Sequence, residues 1–76
     1  MDNKVFDIWN DINGIMENSQ EDLTRFINGN KAAGTRLRKH MQNVKHLAQD
    51  VRIEVQNQKN NLLLYKNKLH YVITKY

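Results

Sequence analysis

The chain has no cysteine and no proline, and only three of its 76 residues are glycine. Without cysteine there is neither a disulfide framework nor a thiolate metal site to staple a small fold. Without proline, no helix need lose an amide donor in its interior. Long hydrophobic runs are missing too. The longest aliphatic run is Leu62-Leu63-Leu64, against the roughly 20 apolar residues that a membrane span needs. The opening stretch, Met1-Asp2-Asn3-Lys4-Val5, lacks the basic-then-apolar order of a signal peptide. A cytoplasmic protein is the expectation. There is no Gly-rich phosphate loop and no nucleophile–base arrangement, and the single serine, Ser19, stands far from any histidine in the sequence. The chain therefore reads as a non-enzyme that takes no cofactor and no small-molecule substrate. His46 and Asp50 are four apart and could share a metal, but no second pair completes a coordination sphere, so no metal site is expected.

What is present is helical periodicity and charge. Hydrophobic residues are 39% of the chain, too many for a disordered tail. A chain of this size buries only about 60% of its unfolded surface, so a monomer would be marginal and dimerisation or docking is expected. Val5, Ile8, Trp9, Ile12, Ile15, Met16, Leu23, Phe26 and Ile27 recur at helical steps, with Ser19 in the one gap. Asp2 or Asn3 is the candidate N-cap, and Phe6, Trp9 and Phe26 are expected in the hairpin core. Asn28-Gly29-Asn30 should end this helix. A second helix should begin near Lys31. Its apolar frame, Leu37, Met41, Val44, Ala48, Val51 and Val55, continues through Gln58, Leu62, Tyr65, Leu69, Val72 and Tyr76. The polar pair Asn60-Asn61 is the expected interruption.

Residues 1–30 hold six acids against two cations, while residues 31–76 hold ten cations against two acids. Lys31, Arg38, Lys45, Arg52, Lys59 and Lys66 recur every seventh residue. On a helix they form a ridge beside the apolar seam, with successive charges about 10 Å apart. Such a ridge can neutralise phosphates of a nucleic acid and release their counterions. Alternatively it can pair with acids flanking a coiled-coil seam, and Asp7, Asp11, Glu17, Glu21 and Asp22 are the acids available. The neighbouring His40 is in reach of the same partner, while His70 reads as a surface residue. A third reading, an amphipathic helix on an anionic membrane, is opposed by the acidic first helix.

The stretch Gly29-Asn30-Lys31-Ala32-Ala33-Gly34-Thr35-Arg36-Leu37-Arg38 resembles the Gly-Asn-Lys-Ala-Ala-x-x-Arg-Val-Arg segment of the bacterial histone H1-like proteins. The likeness extends loosely over about residues 5–60. It implies a helical, nucleoid-associated protein that binds double-stranded DNA without marked sequence preference and helps condense the chromosome. The matched positions imply DNA-phosphate contacts from Lys31, Arg36, Arg38, Lys39, Lys45 and Arg52. Ala32, Ala33 and Gly34 would pack tightly at the hairpin bend. The chlamydial member carries a long Lys/Ala-rich tail that this chain lacks, and residues 61–76 are instead apolar and aromatic. The combined expectation is an all-α fold: an antiparallel helical hairpin with a long second helix, coiled-coil-like and dimeric. Residues 1–60 form the DNA-binding hairpin, and residues 61–76 an amphipathic extension suited to self-association. The competing expectation is a coiled-coil protein–protein interaction module without nucleic-acid binding.

Overall fold

The computed structural model describes the backbone of residues 3–75 and the side chains of residues 3–61. Among these, all secondary structure is helix: α1 at Lys4–Ile27 and α2 at Lys31–Lys75. The chain is an all-helical hairpin with unequal arms. At 1.5 Å per residue, the 45 residues of α2 extend about 68 Å.

Asn3 is the N-cap of α1. Its backbone is extended, and its Oδ1 accepts from the Val5 amide at 2.9 Å. The same side chain exchanges two hydrogen bonds with Gln58. Gln58 Nε2 donates to Asn3 Oδ1 at 2.9 Å, and Asn3 Nδ2 donates to Gln58 Oε1 at 3.2 Å. The one polar member of the expected apolar frame thus ties the start of α1 to α2. Asn3→Ala removes a cap and a cross-helix amide pair together. We expect it to cost about 1–2 kcal/mol, read as a lower urea midpoint.

The bend is built from backbone chemistry. The amides of Gly29 and Asn30 donate to the carbonyls of Phe26 and Arg25, both at 2.9 Å, which closes α1 with a Schellman pattern. Gly29 has φ of 104°, a region that L side chains rarely adopt. Asn30 then starts α2, its Oδ1 accepting from the Ala33 amide at 3.0 Å. Three residues reverse the chain, so the helices run antiparallel. The expected break at Asn60-Asn61 is absent, and α2 is continuous there. Asparagine costs a helix only a few tenths of a kcal/mol more than the best formers. Moreover, Gln56 Nε2 donates to Asn60 Oδ1 at 3.2 Å along the helix surface.

The seam differs in part from the expected one. From α1, Ile8, Ile12, Ile15, Ser19 and Asp22 are shielded by α2. From α2, the shielded positions are Ala33, Gly34, Leu37, His40, Val44, Leu47, Val51, Glu54 and Gln58. Leu37, Val44, Val51 and Gln58 were expected. Met41, Ala48 and Val55 were expected with them, yet are exposed. The helix is turned so that His40, Leu47 and Glu54 take the second row. Polar partners set that rotation: Asp22 holds Arg36 and His40 near the bend, and Asn3 holds Gln58 at the open end.

The most deeply buried residues lie toward the bend and most of them are small. Ala33 is wholly buried and Ser19 is 3% exposed, its hydroxyl donating to the Met16 carbonyl. Gly34 lies under the Phe26 ring, and a Cβ there would come within 2.5 Å of Phe26 Cδ1. This is the tight bend packing expected of Ala33 and Gly34; Ala32 is exposed. Phe6, Trp9 and Phe26, expected in the core, are 42%, 57% and 50% exposed. Two helices share only one seam, and among the described residues no third element covers the rows beside it. The remaining expectation, that residues 61–76 are an extension for self-association, falls outside the described side chains from residue 62 onward.

Candidate nucleic-acid interface

Lys31, Arg38, Lys45, Arg52 and Lys59 are all exposed on α2. Their spacing spans about 42 Å of helix, and a straight helix would rotate such a row by roughly 20° per heptad. The seam positions Leu37, Val44, Val51 and Gln58 all remain shielded, however, so α2 keeps a seven-residue register against α1. The ridge, in step with that register, stays on one side of the hairpin. The sixth expected member, Lys66, lies outside the described side chains.

None of these five cations is neutralised within the described structure. The ion pairs among the described residues are Arg25 with Glu21, Arg36 with Asp22 and His40 with Asp22. Arg52 donates only to the neutral Gln49 Oε1, at 3.3 Å. Three of the acids lie in another groove. Asp11, Asp50 and Glu54 share a groove with Lys4, Ile53 and Asn57. The ridge borders the other side, where Arg38 and Lys45 flank Leu37 and Met41, and Lys59 flanks Trp9 and Val55. The intramolecular pairing considered from sequence does not occupy the ridge.

The six residues that the family likeness implied do not form one surface. Lys31, Arg38, Lys45 and Arg52 share the ridge. Lys39 is exposed, one residue round from Arg38 on the outer face. Arg36 stands apart: its Nε donates to Asp22 Oδ1 at 3.0 Å, and His40 Nε2 lies 3.5 Å from Asp22 Oδ2. The Asp22 side chain is 12% exposed, so this pair is shielded on one partner while Arg36 is 48% exposed. Arg36 clamps the bend. His40, in reach of phosphate or a bystander on the sequence reading, is the second neighbour of Asp22 in that clamp. Conversely, Lys59 was left out of the implied set and belongs to the ridge. Its seven-residue phase was the signal. The clamp had a signal as well: Asp22 continues the inward row Ile8, Ile12, Ile15 and Ser19, where a lone carboxylate needs a partner.

His46 and Asp50 are both exposed, and among the described residues no three of His, Asp and Glu converge as metal ligands. Among the described residues, no helix is long and apolar enough to cross a membrane. What the ridge offers is a line of fixed positive charge with long, mobile heads.

A family model described as histone H1-like protein Hc1 matches residues 7–61. No curated protein and no solved structure matches the chain.

Proposed function

The chain belongs to the histone H1-like family, and from that premise we propose that it binds double-stranded DNA without sequence specificity through the α2 ridge. It would act in the cytoplasm as a nucleoid-associated protein that compacts or bridges DNA. The single observation that carries this reading is the row of five exposed cations with no acidic partner among the described residues. Uncompensated lysines and arginines in line are what counterion release rewards, whereas a coiled-coil flank already paired with acids would gain little from DNA. A duplex repeats about every 34 Å, so a ridge about 42 Å long spans just over one turn and meets both strands. The reading assigns no reaction, no cofactor and no metal.

The geometry separates two arginines that sequence treated alike. Arg38→Gln should weaken binding to a duplex of arbitrary sequence several-fold and lower the salt slope by about 1. Arg36→Gln should leave the slope unchanged and instead lower stability by about 1–2 kcal/mol, through the loss of the Asp22 pair. Fluorescence anisotropy and urea denaturation of both variants provide the test. An Arg36→Gln protein that loses as much DNA affinity as Arg38→Gln, at full stability, would contradict the assignment of the ridge.

A further inference from the structure

The ridge ends against an aromatic groove that phosphate contact leaves unused. At the open end of the hairpin, Phe6 and Trp9 of α1 share a groove of about 450 Å³ with Val55, Gln58 and Lys59 of α2. Phe6 and Trp9 are three apart, on one face of α1, and are 42% and 57% exposed. Lys59 is at once the last described cation of the ridge and a wall of this groove. Asn3 and Gln58 line it too, and their hydrogen bonds can be counted. Gln58 Nε2 gives both its hydrogens, to Asn3 Oδ1 at 2.9 Å and to Glu54 Oε1 at 3.4 Å. Asn3 Oδ1 accepts from that donor and from the Val5 amide. Asn3 Nδ2 donates one hydrogen to Gln58 Oε1 at 3.2 Å. A second hydrogen on Asn3 Nδ2 and a second lone pair on Gln58 Oε1 are therefore left side by side, with no partner among the described residues.

We propose that this groove takes an unpaired nucleobase of DNA, which stacks on Trp9 while Lys59 holds a phosphate beside it. The proposal rests on the ridge reading and extends it from the closed duplex to DNA with a base out of its pair. The first reason is the pairing of ring and cation. Aromatic side chains beside a positively charged track are what single strands stack on, and stacking accepts any base. The second reason is the pair of amides. A lipid tail or an apolar side chain seated here would seal the Asn3 hydrogen and the Gln58 lone pair from water with nothing to bond, which is unfavourable. A base edge carries both donors and acceptors and can meet the two together. The third reason is charge. Lys59 has no acidic partner among the described residues, and a phosphate supplies the anion. In a closed duplex the bases are paired and stacked, out of reach of Trp9. Taking one out costs free energy that a bulge, gap or frayed end has already lost. The groove thus selects DNA by its state of pairing and not by its sequence.

The test uses the full chain with its one tryptophan as reporter. The probes are a labelled closed duplex, the same duplex with a bulge of unpaired adenines, and that bulge with abasic sugars in place of the adenines. The two bulges share their phosphates and differ in the bases. Anisotropy should show the adenine bulge bound about 10-fold tighter than the abasic one, as one stacked base provides. Trp9 emission should be quenched by the adenine bulge alone. Trp9→Ala should bring the adenine bulge down to the abasic value. Should Trp9→Ala fail to fold, as judged by far-UV ellipticity, the wild-type comparison of the two bulges decides. Equal affinity for the two bulges overturns the proposal, even where both are bound tighter than the closed duplex, because bending at a bulge then explains the gain. So does Trp9 emission that ignores every probe and shifts instead with protein concentration, which gives the groove to a second copy, or with phosphatidylglycerol vesicles, which gives it to lipid. Equal binding of all probes at a steep salt slope removes the groove and keeps the ridge. Quenching by the adenine bulge at a salt slope near zero keeps the groove and removes the ridge, and no binding to any probe removes both.

Discussion

Reversing two ridge charges, Arg38→Glu together with Lys45→Glu, should lower affinity for an arbitrary duplex of about 30 base pairs by roughly 100-fold at low salt and reduce the salt slope by about 2. The two residues stand one heptad apart, about 10 Å along α2, so one strand of DNA approaching the ridge meets both. Each reversal deletes a phosphate contact and adds a like charge against the backbone, which costs more than neutralisation. Both side chains are exposed and neither forms an ion pair with another described residue. The fold should therefore be indifferent, and far-UV ellipticity and the urea midpoint serve as the internal check. A double variant that unfolds instead would show that the ridge pairs with acids after all.

The second large effect concerns the bend. Ala33 is wholly buried in the first turn of α2. Ala33→Leu adds three carbons to a site with no room, and overpacking of this kind costs about 1–3 kcal/mol. A domain of this size has roughly 4–11 kcal/mol in total. The urea midpoint should therefore drop by about 1–2 M, at the slopes usual for small proteins. The neighbouring Ala32 is exposed, so Ala32→Leu should leave the midpoint within a few tenths of a molar. The pair separates a packing effect from any change in helix propensity, because both substitutions place leucine in the first turn of α2. Equal midpoints for the two variants would show that the helices do not meet closely at Ala33.

Much of this architecture could be read along the chain, and the parts that could not share one cause. The helix limits follow from local chemistry: Asn3 as a cap, Gly29 in its left-handed conformation and Asn30 starting α2 act within a few residues. The ridge follows from spacing alone, since any helix in heptad register puts Lys31 through Lys59 on one side. The rotation of α2 about its axis was not legible. Met41, Ala48 and Val55 are more apolar than His40 and Glu54, and hydrophobicity alone turns them inward. The actual rotation is set by side chains far apart in sequence, Asp22 on Arg36 and Asn3 on Gln58, which one helix read by itself cannot contain. The same contact removes Arg36 from the ridge. Trp9 and Phe26 were assigned to the hairpin core because they fall in the helical apolar pattern of α1. Here two helices offer one seam, and it is filled by isoleucine, valine, leucine, small residues and the polar Asp22, His40, Glu54 and Gln58.

Binding of the wild-type protein to a single duplex across a salt series bears most directly on the ridge. The five described ridge cations, meeting one phosphate each, account for a slope of log affinity against log salt of about −4.5. We expect a slope between about −3 and −4.5, indifferent to the sequence of the duplex. A slope near zero, or an affinity that changes more than tenfold between duplexes of unrelated sequence, would contradict phosphate recognition by a line of uncompensated charge.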